Sequence, residues 1–84
     1  MAALLKPLGR VLREARKEAE ITQGEIAASA GVSRWVISRL ENGERWPEVG
    51  PDRLVGAYAH ECGLEGLELW RRAIKAVSSP PARQ

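Results

Sequence analysis

Cysteine and histidine are nearly missing: Cys62 and His60 are the only ones in 84 residues. One cysteine excludes a disulfide within the chain, which fits a reducing compartment. A zinc site takes about four ligands, and His60 with Cys62 offers two with no second cluster. No metal is therefore expected. Two residues apart on a helix, His60 and Cys62 point to different faces, so they make a poor nucleophile pair. Packing is the expected role of Cys62. No apolar run approaches the roughly 18–20 residues that cross a bilayer. Residues 1–5 are apolar, but they are too short for a signal-peptide core and no charged stretch precedes them. A cytoplasmic protein without a membrane partner is expected. There is no glycine-rich phosphate loop and no nucleophile elbow. Neither an enzyme nor a cofactor is expected.

A chain of this length carries one core and removes about 60–65% of its unfolded surface from water. Hydrophobic residues at 44% and charged residues at 29% describe an ordinary globule, not a disordered chain. Net charge is +2, from 13 Lys and Arg against 11 Asp and Glu. That balance permits a nucleic-acid partner without requiring one. Ten of the 13 cations are Arg, which forks onto phosphate and guanine better than Lys does. A GC-rich genome is the simpler cause of that bias.

Alternating β-type runs are absent, and the apolar spacing is helical nearly throughout. Leu8, Val11, Leu12, Ala15 and Ala19 share one face, with charged residues between them. They predict an amphipathic helix from Pro7, at its first turn, to about Ala19. Thr22-Gln23-Gly24-Glu25 reads as a capping box opening a second helix to about Ala30. Ile26, Ala27 and Ala30 face inward, and Gly31 supplies the positive φ where that helix stops. Ser33 is a fitting N-cap for a third helix, which runs to about Asn42 and is closed by Gly43. Gly50-Pro51-Asp52 starts a fourth helix, with Leu54, Val55, Tyr58, Ala59 and Cys62 inward and Gly63 at its end. Leu67, Trp70, Ile74 and Val77 predict a fifth, with this set as its core face. The fold class is all-α, a bundle of about five helices in a single domain over 1–77. Residues 78–84, polar and proline-rich, are expected to form a flexible tail.

The second and third helices are short and joined at Gly31 among small residues, as in a helix-turn-helix. At about 100° per residue, Val36, Ile37 and Leu40 fall on one side of the third helix. Arg34, Trp35, Ser38 and Arg39 fall on the other. Arg can fork onto guanine, Ser can reach a base or a phosphate, and Trp can pack on a thymine methyl or a sugar. A plain surface helix whose Trp covers a neighbouring loop fits the same spacing.

Thr22-Gln23-Gly24-Glu25-Ile26-Ala27, then Gly31-Val32-Ser33-Arg34, then Ile37-Ser38-Arg39-Leu40-Glu41-Asn42-Gly43 resemble the XRE helix-turn-helix signature. That family includes the Cro and repressor proteins of lambdoid phages. The likeness is dense over residues 8–47 and looser to about 63. It implies a lambda-repressor-like bundle of about five helices that binds double-stranded DNA. It also implies that Arg34, Trp35, Ser38 and Arg39 contact bases. Gln23, Ser33, Asn42 and Arg45 then contact phosphates, with Gln23 also bracing the recognition helix. The chain departs from the family pattern at Gly24, at bulky Trp35, and at Trp46 where a charge is common.

The resemblance points to a sequence-specific transcriptional regulator, a repressor acting as a homodimer. Its candidate seam is Trp46 in the loop after the third helix, or Leu67 and Trp70 on the fifth. A different class also fits: a helix-turn-helix module that binds a protein partner, such as an antitoxin or adaptor. Exposed tryptophans and weak net charge suit that alternative; Arg34 and Arg39 beside Gln23 and Asn42 suit DNA.

Overall fold

The computed structural model describes residues 2–78. Five helices follow one another: α1 (Ala2–Glu18), α2 (Gln23–Ala30), α3 (Arg34–Glu41), α4 (Pro51–Cys62) and α5 (Gly66–Ser78). Within the described residues the fold is all-α, as the apolar spacing predicts. Residues 79–84, most of the expected tail, lie outside the described residues, and Ser78 closes α5 instead.

The first helix starts at Ala2 and not at Pro7, which lies inside it. Proline cannot donate to the carbonyl four residues back, but Ala3 is exposed and that carbonyl lies near the helix start. Burial of Leu5 and Leu8 favours the extra turn. Leu12 and Ala15 continue the buried face, Val11 packs at its edge, and Ala19 is exposed past the helix end. Glu20 stops α1 at φ 60°, a left-handed conformation usually left to glycine. The Glu20 and Ile21 amides donate to the carbonyls of Lys17 and Arg16, both at 3.0 Å.

At the start of α2 the capping box forms as read. The Glu25 amide donates to Thr22 Oγ1 at 3.0 Å, and the Thr22 amide donates to Glu25 Oε1 at 2.8 Å. Gly31 takes φ 71° and turns the chain into α3. Ser33 occupies the N-cap of α3 with extended backbone, but its hydroxyl makes no capping bond.

One core joins Leu8, Leu12, Ile26, Ile37, Leu40, Leu54 and Tyr58, all fully buried, with Leu69 from α5. Helix α1 packs on α3, α4 and α5, while α2 packs on α3 and α4. Close approach of α1 to the end of α3 depends on Gly9. A Cβ there would collide with the Leu40 carbonyl oxygen and come within 2.9 Å of that of Glu41. Cys62 plays the packing role expected of it, half-buried with its thiol 3.6 Å from the Ala15 carbonyl oxygen.

The expected core face of α5 is corrected. Leu69 and Ala73 are the buried pair, whereas Leu67, Ile74 and Val77 are 65%, 53% and 43% exposed. Trp70 packs only partly against the core. Nearly half the circumference of α5 is apolar, and one edge of that arc meets α1 and α4. Leu67 and Ile74 lie at the other edge, which spacing alone does not distinguish. Among the described residues, no helix is long and apolar enough to cross a membrane. None of their His, Cys, Asp and Glu side chains gather into a group of three or more that could hold a metal ion.

Candidate nucleic-acid interface

The third helix is fixed from inside by a carboxylate. Glu41, at its last turn, is 5% exposed, the one charged side chain among the buried residues described. Arg16 of α1 donates from Nε to Glu41 Oε2 at 2.7 Å and from Nη2 to Oε1 at 3.0 Å. Tyr58 of α4 donates its hydroxyl to Oε2 at 2.6 Å, and Gln23 of α2 donates from Nε2 to Oε1 at 3.1 Å. Each oxygen thus accepts two hydrogen bonds, its full complement. A third Arg16 nitrogen, Nη1, donates to the Ile21 carbonyl at 2.9 Å. Burial pushes the Glu41 carboxyl up. The bonds from Arg16, Tyr58 and Gln23 and the Arg16 charge outweigh that and leave it below its ordinary value. Burial and the adjacent carboxylate push the Tyr58 hydroxyl far up, so it stays a donor.

The opposite side of α3 faces solvent. Arg34, Trp35 and Arg39 are exposed and Ser38 is half-buried. Trp35 is 72% exposed, the most of any exposed large hydrophobic side chain described. Arg34 and Arg39 make no ion pair with any described residue. A cleft of about 200 Å³ beside the ridge is lined by Gln23, Arg34, Trp35 and Ser38. On the other side lies a cleft of about 280 Å³, bordered by Val36, Arg39, Arg45 and Trp46. The four expected base-facing residues and Gln23 are therefore neighbours on one surface.

The remaining candidates divide. Ser33 and Asn42 are exposed at the two ends of α3, and Asn42 Nδ2 donates to Glu44 Oε2 at 3.3 Å. Arg45 is exposed and loosely paired with Glu48 at 3.7 Å. Trp46 packs against the core, and its indole Nε1 is buried without a partner in the described structure. It lies by α3, whereas Leu67 and Trp70 sit on α5, which packs against α1 and α4. The structure does not gather the three seam candidates into one patch. Gln23 braces the recognition helix through Glu41. The buried role of Glu41 itself, with Arg16 and Tyr58, escaped the motif reading. Its one available signal was position: Glu41 lies about 40° round the wheel from Ile37, at the edge of the inward face.

A recognition helix steadied from within and polar outside is the architecture of a helix-turn-helix. A family model described as Helix-turn-helix matches residues 12–50, from within α1 to the residue before α4. The matched segment, just under half of the chain, takes in the residues whose pattern resembles the XRE signature. It is similar to the uncharacterized HTH-type transcriptional regulator RghRB of Bacillus subtilis (strain 168), at 39% identity over 41 residues. That match takes in 49% of this chain and 30% of the relative, so the chain spans under a third of the relative's length. The fold is similar to a crystal structure of the clp gene regulator ClgR from Corynebacterium glutamicum. The TM-score is 0.75 at 25% identity, covering 89% of this chain and 77% of that one. A second crystal structure of ClgR gives 0.71 at 29% identity, covering 87% of this chain and 91% of the other.

Proposed function

We propose that this chain is a cytoplasmic transcriptional regulator that binds double-stranded DNA by sequence and represses as a homodimer. The observation that carries this is the outward face of α3, where Arg34, Trp35, Ser38 and Arg39 stand clear of the core. The likeness to RghRB and to ClgR, both named as regulators, supports it. The role needs no catalysis, cofactor or metal.

Arg34, Trp35, Ser38 and Arg39 are assigned to base edges, and Gln23, Ser33, Asn42 and Arg45 to the DNA backbone. Arg34 sits in the first turn of α3, the end that enters the major groove in this motif. Its guanidinium can donate two parallel bonds to one guanine. Two modules on half-sites about 34–36 Å apart give the selectivity that one lacks. Leu67 and Trp70 on α5 are the favoured seam, since Leu67 is exposed there beside Ile74. That same apolar edge favours the second function, capture of a protein partner in the manner of an antitoxin or adaptor.

Selection from a randomised duplex library, followed by sedimentation of the complex, tests the proposal. A defined site logo with two chains per duplex is expected. Binding that shows no sequence preference and no salt dependence refutes the DNA role. One chain per selected duplex refutes the homodimer.

A further inference from the structure

Trp35 and Arg39 lie one helical turn apart, with the Arg39 guanidinium carbon 6.0 Å from the centre of the Trp35 ring. A cation over an aromatic face is attracted to it and loses freedom there. A guanidinium held against a ring keeps its in-plane N–H groups available for bidentate bonding. Those of Arg39 meet no ion-pair partner among the described residues. Trp35 is anchored by nothing else polar, although it is the most exposed large apolar side chain described. The two residues form the crest of α3, Trp35 bordering the cleft with Gln23 and Arg39 the cleft with Arg45.

We infer that Trp35 and Arg39 act as one reading unit, recognising a guanine beside a pyrimidine that carries a C5 methyl group. This rests on the proposed DNA-binding role. Arg39 supplies two donors to guanine O6 and N7, the acceptor pair of the major groove. The methyl is the apolar group that a neighbouring pyrimidine presents in that groove, and the indole is the apolar surface to cover it. Thymine and 5-methylcytosine offer the same methyl, so both satisfy the unit. Unmethylated cytosine and deoxyuridine do not. Arg39 is thereby a base reader, and Trp35 is both its support and a specificity determinant.

The test uses the full chain and a duplex it selects from a randomised library. Arg39→Lys keeps the charge, loses the planar fork that stacks on Trp35, and is expected to weaken a guanine preference at one position per half-site. Deoxyuridine for the adjacent thymine is expected to weaken wild-type binding about fourfold, the effect of one buried methyl. A 5-methylcytosine·guanine pair there is expected to bind better than cytosine·guanine by a similar factor. Trp35→Ala, checked by thermal melting, is expected to abolish both methyl effects. The thymine substitution alters only the DNA, so it tests the unit even where a variant misfolds. A selected site with no pyrimidine beside the Arg39-dependent guanine overturns the inference and leaves DNA binding standing. Equal affinity for thymine and deoxyuridine at every position does the same. Failure to select any duplex overturns both.

Discussion

Replacing Glu41 by Gln isolates the charge that holds four helices together. The side chain keeps its shape, but one oxygen becomes an amide donor facing the groups that donate to it now. Arg16 is left with a side chain only 12% exposed and no anion beside it. Tyr58 and Gln23 compete for one remaining acceptor. Breaking a buried ion pair from one side costs about 3–5 kcal/mol. A chain of 84 residues has a total stability of about 4–13 kcal/mol at about 0.05–0.15 kcal/mol per residue. The loss is therefore a large part of the whole. At about 4–8 °C per kcal/mol, the low end alone lowers the melting temperature by about 12 °C or more. Tyr58→Phe removes one bond of the four to the carboxylate and should cost less, about 1.5–3 kcal/mol. Circular-dichroism melts with urea unfolding at neutral pH give both numbers. A Glu41→Gln protein that melts within about 3 °C of wild type refutes the reasoning. So does Tyr58→Phe proving the more damaging of the two.

Acid provides a second route to the same group. The folded Glu41 carboxyl lies below its ordinary value near 4.5, so its contribution is complete above that value and is lost as pH falls through the folded one. Wild type should lose more stability than Glu41→Gln as pH is lowered from about 5, read as converging urea midpoints. Gly9→Ala should destabilise by several kcal/mol, because the added methyl meets backbone of α3, whereas Gly24→Ala meets nothing closer than Thr22 Oγ1 at 3.8 Å and should raise the melting point slightly. Arg34→Ala should relax preference at one G·C position per half-site, worth about 1–3 kcal/mol, with an unchanged melt; a retained site logo counts against its base-reading role. Arg45→Ala should weaken binding to all sequences alike and flatten the salt slope by about 0.9, so a loss confined to certain sequences would make Arg45 a base reader.

What could be read from the residues was what neighbours along the chain decide. Thr22 and Glu25 satisfy each other's amides three residues apart, and Gly31 meets a purely local demand for positive φ. The cap and the turn were legible for that reason. The outward face of α3 followed from its angular spacing. Features set by other helices were not legible. Nothing near Glu41 in sequence announces Arg16 or Tyr58, and Gly9 reads as a weak helix residue until α3 lies against it. Glu20 in a left-handed turn breaks the glycine habit seen after α2, α3 and α4. In α5 the apolar arc is wider than the face that α1 and α4 cover, so spacing alone could not choose Leu69 and Ala73 over Leu67 and Ile74. Local spacing also could not show that Trp46 would turn to the core.

In the proposed DNA-binding role, helix α3 keeps its two duties on separate residues. Ile37, Leu40 and Glu41 hold it in place, while Arg34, Trp35 and Arg39 contribute nothing to the core. A change of address on the genome therefore leaves the framework untouched. Under the proposed DNA-binding role, substitutions on the outward face of α3 are expected to change specificity while the protein stays folded. A protein built this way can follow a drifting operator without passing through an unstable ancestor.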